Sequence, residues 1–425
     1  MGMTMYSCLL MVALILSSPW WLWRMTTSGR YRAGLRGRLG AVPTELAEAV
    51  AGHDVIWLHA VSVGEVLAAE QLIAELKTVL PAWVVAVSTT TASGQKVARE
   101  RLQGVPVFYM PLDFAYTMRR YLGALRPKLV VLMESELWPR MLEECECEGV
   151  QVVVVNARVS DRSFPRYLKL RTFWKPMLEK VTLFLAQGDE SAERLAKIGV
   201  AVKRIRVVGN LKYDAPLPDK NEIAERLRTN LPAGAEIVVC GSTLEGEEVD
   251  ILEAWVRLLA TGHHGVLMIA PRHPQRFEPV ARLVGKKAIR VSQWMRSPRP
   301  IELDQVLVLD TLGSLAAVYQ VATVAFLGGS LVKKGGHNPL EAARFGVPVI
   351  MGPSYENFRE IVDGMRAADA IAIVEDGNLT LALHQAMSRG RAMGRRGRSF
   401  FEAQTGATHR TLIALLDLLA KDRPR

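Results

Sequence analysis

Short apolar runs recur along residues 55–208, and between them apolar positions fall at spacings of three and four. The runs 55–61, 83–89, 105–109, 128–133, 150–155, 182–187 and 204–208 are rich in Val, Ile and Leu and continuous rather than alternating. That pattern predicts parallel strands covered on both faces and joined by helices. Val66, Ala69, Leu72, Ile73, Leu76 and Leu80 mark the buried stripe of the first such helix. A polar stretch, DAPLPDKNEIAERLRTNLPAGAE, reads as a linker and a lead-in helix. A second alternating series starts at EIVVCGST and runs through VLMIAPRH, VLVLD, TVAFLGGS, VPVIMG and AIAIV. Two successive α/β halves predict two Rossmann-like domains, with ligands at the carboxyl ends of their strands. Facing one another across a cleft, they would bring both sets of strand ends to one site.

The stretch MGMTMYSCLLMVALILSSPWWLWR carries no charge before Arg24 and is about as long as a bilayer core requires. It lacks the basic start and the small-residue cleavage site of a signal peptide. Trp20, Trp21 and Trp23 stand where an aromatic belt would lie, and the positive charges after them predict that the remainder stays cytoplasmic. Pro19 would let the segment dip into one leaflet instead of spanning. The expected organisation is an anchor over 1–25, a first domain over 26–208, a linker over 209–235 and a second domain over 236–395. Residues 396–425 would form a closing helix that packs back on the first domain.

Composition narrows the function. With 425 residues, 49% hydrophobic and 23% charged, the chain is an ordered protein of two domains. Part of its net charge of +10 is local, at Arg24, Arg30, Arg32, Arg36 and Arg38 and at Arg389, Arg391, Arg395, Arg396 and Arg398. Anionic lipid or a phosphorylated substrate fits this better than nucleic acid, for which no binding motif is present. The first cluster also serves to set topology. The four cysteines, Cys8, Cys145, Cys147 and Cys240, suggest neither a disulfide framework nor a zinc site. No His, Asp or Glu grouping has metal-ligand spacing, and there is no DxD pair.

Candidate chemistry sits at strand ends. Ser62-Val63-Gly64-Glu65 follows the first strand, with a glycine suited to a tight turn or a close approach. Glu65 either complements the helix dipole or serves a ligand. Met133-Glu134-Ser135-Glu136 ends a later strand with two acids, Asn156-Ala157-Arg158 ends the next, and Gly209-Asn210-Leu211-Lys212 lies at the domain junction. In the second half, FLGGSLVKKGGHNPLEAARFGVPVIMG leads a glycine-rich basic loop into a helix. Asn338, Pro339 and Glu341 suit its N-cap, N1 and capping-box positions. The same geometry cradles a nucleotide, with Glu341 placed for ribose hydroxyls. Arg272 suits a phosphate, and Asp310-Thr311-Leu312-Gly313-Ser314 offers backbone donors.

HAVSVGE, MESELWP, NARVS, GNLKYD, GSTLEGEE, APRHP and GGSLVKKGGHNPLEAA, in this order, resemble the 3-deoxy-D-manno-octulosonic acid (Kdo) transferases of lipopolysaccharide synthesis. The resemblance implies a GT-B fold: two facing Rossmann-like domains, with an N-terminal membrane anchor helix. It implies transfer of Kdo from CMP-Kdo to a lipid A precursor at the inner membrane's cytoplasmic face, with inversion, and without metal or cofactor. Glu65 would be the proton acceptor, and Glu134 and Lys212 the transition-state stabilisers. Pro271, Arg272, Leu312, Gly313, Ser314, Asn338, Pro339, Leu340 and Glu341 would bind the CMP of the donor. One departure is Leu312-Gly313-Ser314-Leu315, where the family commonly has MGEL, so a side-chain contact to CMP is expected to be lost or weakened. Other readings open at this stage are a UDP-sugar transferase with another lipid acceptor and a non-catalytic, membrane-tethered nucleotide sensor. A nucleotide-sugar epimerase fits less well, because the anchor has no role in it.

Overall fold

A computed structural model describes residues 3–27, 34–161, 163–214, 222–374 and 377–421. The chain divides into two units, Met1–Pro216 with Thr405–Arg425, and Leu217–Gln404.

The first unit is built on seven strands: β1 Asp54–His59, β2 Trp83–Thr89, β3 Val107–Tyr109, β4 Pro127–Met133, β5 Gln151–Ala157, β6 Leu183–Ala186 and β7 Ile205–Val207. All pair in parallel in the order β3-β2-β1-β4-β5-β6-β7. Alternate residues of β1 enter opposite cores. Val55 and Trp57 pack with Phe108, Tyr121 and Val130, whereas Ile56 and Leu58 pack with Leu72, Leu76 and Val131. Both faces are dry, which is why the strands read as unbroken apolar runs. Each fully buried side chain of this size contributes about 1.5–3 kcal/mol relative to exposure. The helix Ala407–Lys421 closes one of these cores with Leu412 and Leu415.

The second unit holds β8 Glu236–Thr243, β9 Gly265–Pro271, β10 Ala288–Arg290, β11 Val306–Val308, β12 Val324–Leu327, β13 Val349–Met351 and β14 Ile371–Ile373. They form a second parallel sheet in the order β10-β11-β9-β8-β12-β13-β14. In each sheet the strand order reverses beside the first strand, between β1 and β4 and between β8 and β12. Such switch points are where open α/β sheets bind ligands.

The final helical stretch differs from the expected single return. Arg391–Gln404 belongs to the second unit, and only Ala407–Lys421 to the first. Gly406, left-handed at φ 85°, separates them. The expected linker is also shared out. Leu211–Tyr213 sits in the first unit and the helix Glu222–Asn230 in the second, while 215–221 lie outside the described residues.

Residues Met3–Thr27 form one helix that leaves Leu9, Ile15, Leu16, Trp20 and Trp23 exposed. Tyr6 donates to Asp113 and Arg140 to Ser7, at 2.8 and 2.9 Å, tying the helix to the first unit. No helix among the described residues is long and apolar enough to cross a membrane. Of the nearby basic cluster, Arg30 and Arg32 lie outside the described residues.

Candidate functional site

In the first unit, β1 hands over through Ala60, Val61 and Ser62 to the helix Val63–Val79. Glu65 stands in that helix's first turn and folds back on its start. Its Oε2 accepts from the Val61 N–H at 2.8 Å and its Oε1 from the Ser62 hydroxyl at 2.9 Å. The acid therefore does satisfy helix-start donors, but it is only 7% exposed. Burial pushes its carboxyl above the ordinary range, against those hydrogen bonds, and Glu134 and Glu136 push it the same way. Gly64 does not make the tight turn its sequence position suggests. It lies within the helix, and a Cβ there would meet nothing within 4 Å. What its missing side chain provides is open space next to Glu65.

Glu134 follows β4 in the left-handed region at φ 59°, and Asn156 in β5 adopts φ 55°. That conformation costs most L-residues about 1–2 kcal/mol, and such costs gather at functional sites. The Glu134 N–H donates to the Val155 carbonyl at 2.8 Å, and its carboxylate receives Lys212 Nζ at 2.6 Å. Two amides hold the Lys212 turn in place. Asn210 Oδ1 accepts from the Lys212 N–H, and the fully buried Asn156 Oδ1 accepts from the Leu211 N–H, each at 3.0 Å. Burial and the charge of Glu134 also raise Glu136, so three carboxylates and one lysine share this end of the sheet. A narrow apolar cavity of about 30 Å³, lined by Leu137, Val154, Tyr167, Trp174 and Phe184, reaches Glu134.

In the second unit the ends of β8 and β12 touch, with the Gly328 N–H donating to the Gly241 carbonyl at 2.8 Å. A Cβ on Gly328 would lie 2.5 Å from the Ser242 carbonyl oxygen, so the sequence must have glycine there. Glu247, fully buried, collects four backbone N–H groups: Leu244 at 2.8 Å, Gly329 at 2.7 Å, and Ser330 and Leu331 at 3.0 Å. Nothing in the reading of GSTLEGEE singled this acid out. The available signal was an acid shortly after a strand end, facing a glycine pair elsewhere in the chain. His337 Nδ1 lies 2.7 Å from the Gly328 carbonyl oxygen, and burial lowers its pKa.

Asn338 Oδ1 accepts from the Leu340 N–H at 3.1 Å, although the N-cap of the short helix Leu340–Ala343 is Pro339, one position later than expected. Glu341 does not complete a capping box. Its carboxylate and the exposed Arg272 side chain have no hydrogen bond or ion pair among the described residues. Desolvation raises Glu341, while Arg272 and Arg344 pull it down. Pro271 is buried at the end of β9. Leu312 is 74% exposed, Gly313 is left-handed at φ 80°, and Ser314 Oγ accepts from the Thr311 hydroxyl at 3.1 Å. Asp310 points elsewhere, accepting from Arg290 Nε, the Ser292 N–H and the Ser292 hydroxyl at 2.9, 2.7 and 2.6 Å. Burial opposes its ionisation, yet these bonds hold its carboxyl below the usual aspartate range. The second unit thus brings Arg272 within electrostatic reach of Glu341, and the Leu312 turn follows β11, the strand beside β9. A wider hollow of about 960 Å³, bounded by Asp250, Arg257, Pro353 and Arg366, includes none of the expected donor residues.

Close packing at this end is testable. A Cβ on Gly241 would fall 1.9 Å from the hydroxyl oxygen of fully buried Tyr319. Gly241→Ala is expected to cost about 1–3 kcal/mol, read as a lower urea midpoint; an unchanged midpoint would refute the contact.

Residues 33–215 match the model of the family described as 3-deoxy-D-manno-octulosonic-acid transferase (kdotransferase). The Haemophilus influenzae 3-deoxy-D-manno-octulosonic acid transferase is 34% identical over 402 residues, covering 92% of each chain. The Bordetella pertussis protein of the same name is 33% identical over 419 residues, covering 94% of this chain and 95% of that one. Among solved structures, a putative UDP-N-acetylglucosamine 2-epimerase from Listeria monocytogenes covers 88% of this chain and 98% of its own, with a TM-score of 0.62 at 12% identity. A glycosyltransferase from Rickettsia africae covers 86% and 98%, with a TM-score of 0.58 at 11% identity. At such identity the likeness concerns fold, and it is to GT-B-like architectures of two parallel-sheet α/β domains. With relatives this similar along nearly the whole of both chains, the protein belongs to the 3-deoxy-D-manno-octulosonic acid transferase family.

Proposed function

We propose that the protein transfers Kdo from CMP-Kdo to a lipid A precursor, inverting the anomeric carbon, as a step of lipopolysaccharide synthesis. The observation that carries the mechanism is Glu65: a buried strand-end carboxylate, aligned by Val61 and Ser62, whose proton affinity is raised. Glu65 takes the proton of an acceptor sugar hydroxyl as that oxygen attacks the anomeric carbon of Kdo. The bond from that carbon to the CMP phosphate breaks, and its electron pair leaves with CMP. Lys212, held by Asn210 and paired with Glu134, supplies positive charge for the Kdo carboxylate and the departing phosphate. Glu134 aligns the lysine and faces the positive charge that develops on the sugar ring.

In the second unit, the exposed Arg272 suits the donor phosphate and Glu341 the ribose hydroxyls. The turn at Leu312, Gly313 and Ser314, with Pro271 and the Asn338–Leu340 segment, would complete the CMP site. The helix Met3–Thr27, with its exposed Leu16, Trp20 and Trp23, would lie in one leaflet on the cytoplasmic side of the inner membrane. The test is a transfer assay with purified protein, fresh CMP-Kdo and a tetraacylated lipid A precursor, read by mass spectrometry. A product heavier by one or more Kdo units is expected. Protein that binds CMP but forms no such product, or transfers a hexose from a UDP-sugar instead, would overturn the reading.

A further inference from the structure

In the second unit β8 lies between β9 and β12, and the helix Glu247–Ala260 that follows it opens with two adjacent acids. They serve opposite neighbours. Glu247 gathers the loop after β12. Glu248, 1% exposed, takes the loop after β9. Its Oε1 accepts from the Thr243 hydroxyl at 3.2 Å and its Oε2 from Arg276 Nη2 at 3.1 Å. Between those two contacts lies Arg272, whose N–H donates to the Thr243 carbonyl at 3.0 Å. Residues Pro274–Arg276 form a single 3₁₀ turn, with the Arg276 N–H on the His273 carbonyl at 2.9 Å, so the position of Arg276 is passed back along the loop. Among the described residues, the hydrogen bonds that tie 272–276 across to other elements are those of the Arg272 N–H and the Arg276 guanidinium.

An acid in a first helical turn ordinarily faces solvent and complements the helix dipole. Glu248 is instead buried and paired with a cation. A pair so removed from water adds little stability, because desolvating both ions offsets their attraction. What it does supply is geometry. The planar guanidinium of Arg276 sets its donors at fixed angles, Nη2 on Glu248 and Nη1 on the exposed Glu245 at 3.2 Å. Arg272 needs such support, since its own side chain is long and exposed, and a fixed backbone is what aims it. The loop is also in the right place. Arg272 and His273 lie in electrostatic reach of His337, and Arg272 in reach of Glu341.

We infer that Glu248 and Arg276 are a positioning pair for the donor site: they fix the 271–276 loop so that Arg272 meets the phosphate of the nucleotide. The inference rests on the proposed role of Arg272. Neither member of the pair touches the nucleotide, and each acts through Arg272 alone.

The experiment is calorimetric titration of the full chain with CMP and with cytidine, which lacks the phosphate. Arg276→Gln and Glu248→Gln should each weaken CMP binding about ten-fold, the scale of coupling between groups in one network, and leave cytidine unchanged. Glu248→Gln keeps the side chain's size and an oxygen for one of its two donors, so the measurement survives if Arg276→Gln unfolds the unit. Arg272→Ala should weaken CMP binding as well, and adding either substitution to it should cost nothing more. CMP affinity unchanged in both variants would overturn the inference. Equal losses for CMP and cytidine would do so too, since a general loosening of the unit takes no account of the phosphate. So would a full further loss in the Arg272→Ala background, which would give the pair its own effect on the ligand. Wild-type CMP affinity in Arg272→Ala alone would remove Arg272 from the donor site, and the inference with it. Protein that fails the transfer assay but shows the expected CMP series would leave the pair's role standing, so the two readings fail separately.

Discussion

Glu65→Gln is expected to lower turnover by about 10²–10⁴-fold, the range that a positioned general base contributes, with little change in CMP affinity. Glutamine keeps the shape and can still accept from Val61 or Ser62, so the helix start should survive. It cannot take a proton from the acceptor hydroxyl. The pH dependence gives an independent check. Burial first, then Glu134 and Glu136, raise the proton affinity of Glu65. Its ionised form is lost as pH falls through that raised value, so the acidic limb of kcat/KM should lie above the ordinary glutamate range. Glu136→Gln removes one of the neighbouring charges that favour the proton, and the limb should move to lower pH. Rates near wild type in Glu65→Gln would remove the residue from the mechanism. An acidic limb unmoved by Glu136→Gln would show that the limb reports another group.

The strands were legible because a parallel sheet covered on both faces leaves no polar side to its strands. Val152 to Val155, all buried in β5, are the clearest case. The edge strand β10 escaped notice for the opposite reason. Only Ile289 of its three residues is buried, and two lysines precede it, so no apolar run announces it. What fixes it is its pairing with β11 and, just beyond that strand, Asp310 holding Arg290 and Ser292. Gly64 misled because a glycine in a strand-to-helix turn usually marks a sharp bend, whereas here Ser62, extended at φ −125° and ψ 169°, makes the entry. Strand-end positions were enough to expect Glu134 and Lys212 in one cleft, but not the ion pair between them. The two lie 78 positions apart, and the amides that bring them together, at Asn156 and Asn210, depend on tertiary structure. Asn156 did leave a trace, since asparagine tolerates the left-handed backbone better than most residues.

Glu247→Ala should give the largest loss of stability, confined to the second unit. Among the described residues, its carboxylate is the only side-chain acceptor for the N–H groups of Leu244, Gly329, Ser330 and Leu331. Each buried donor left without a partner costs about 1–3 kcal/mol, so the total should be on the order of 4 kcal/mol or more. Glutamine is not expected to rescue it. Its oxygen could serve one pair of donors, but its NH₂ would face the other pair, donor against donor. The disturbance should also spread. Ser330, in the loop that Glu247 fastens, accepts from the Gly352 N–H through its hydroxyl at 2.8 Å and from the Ser354 N–H through its carbonyl at 3.0 Å. Ser354 in turn accepts from the Gly335 N–H at 2.9 Å, shortly before Asn338 and the helix Leu340–Ala343. Releasing the loop should therefore also weaken CMP binding at the Asn338–Glu341 segment. Urea unfolding should show one transition moved to lower denaturant and the other unchanged, alongside reduced CMP affinity in titration calorimetry. A Glu247→Gln variant as stable as wild type would mean that the four N–H groups find other partners, and that the acid is not what holds this switch point together.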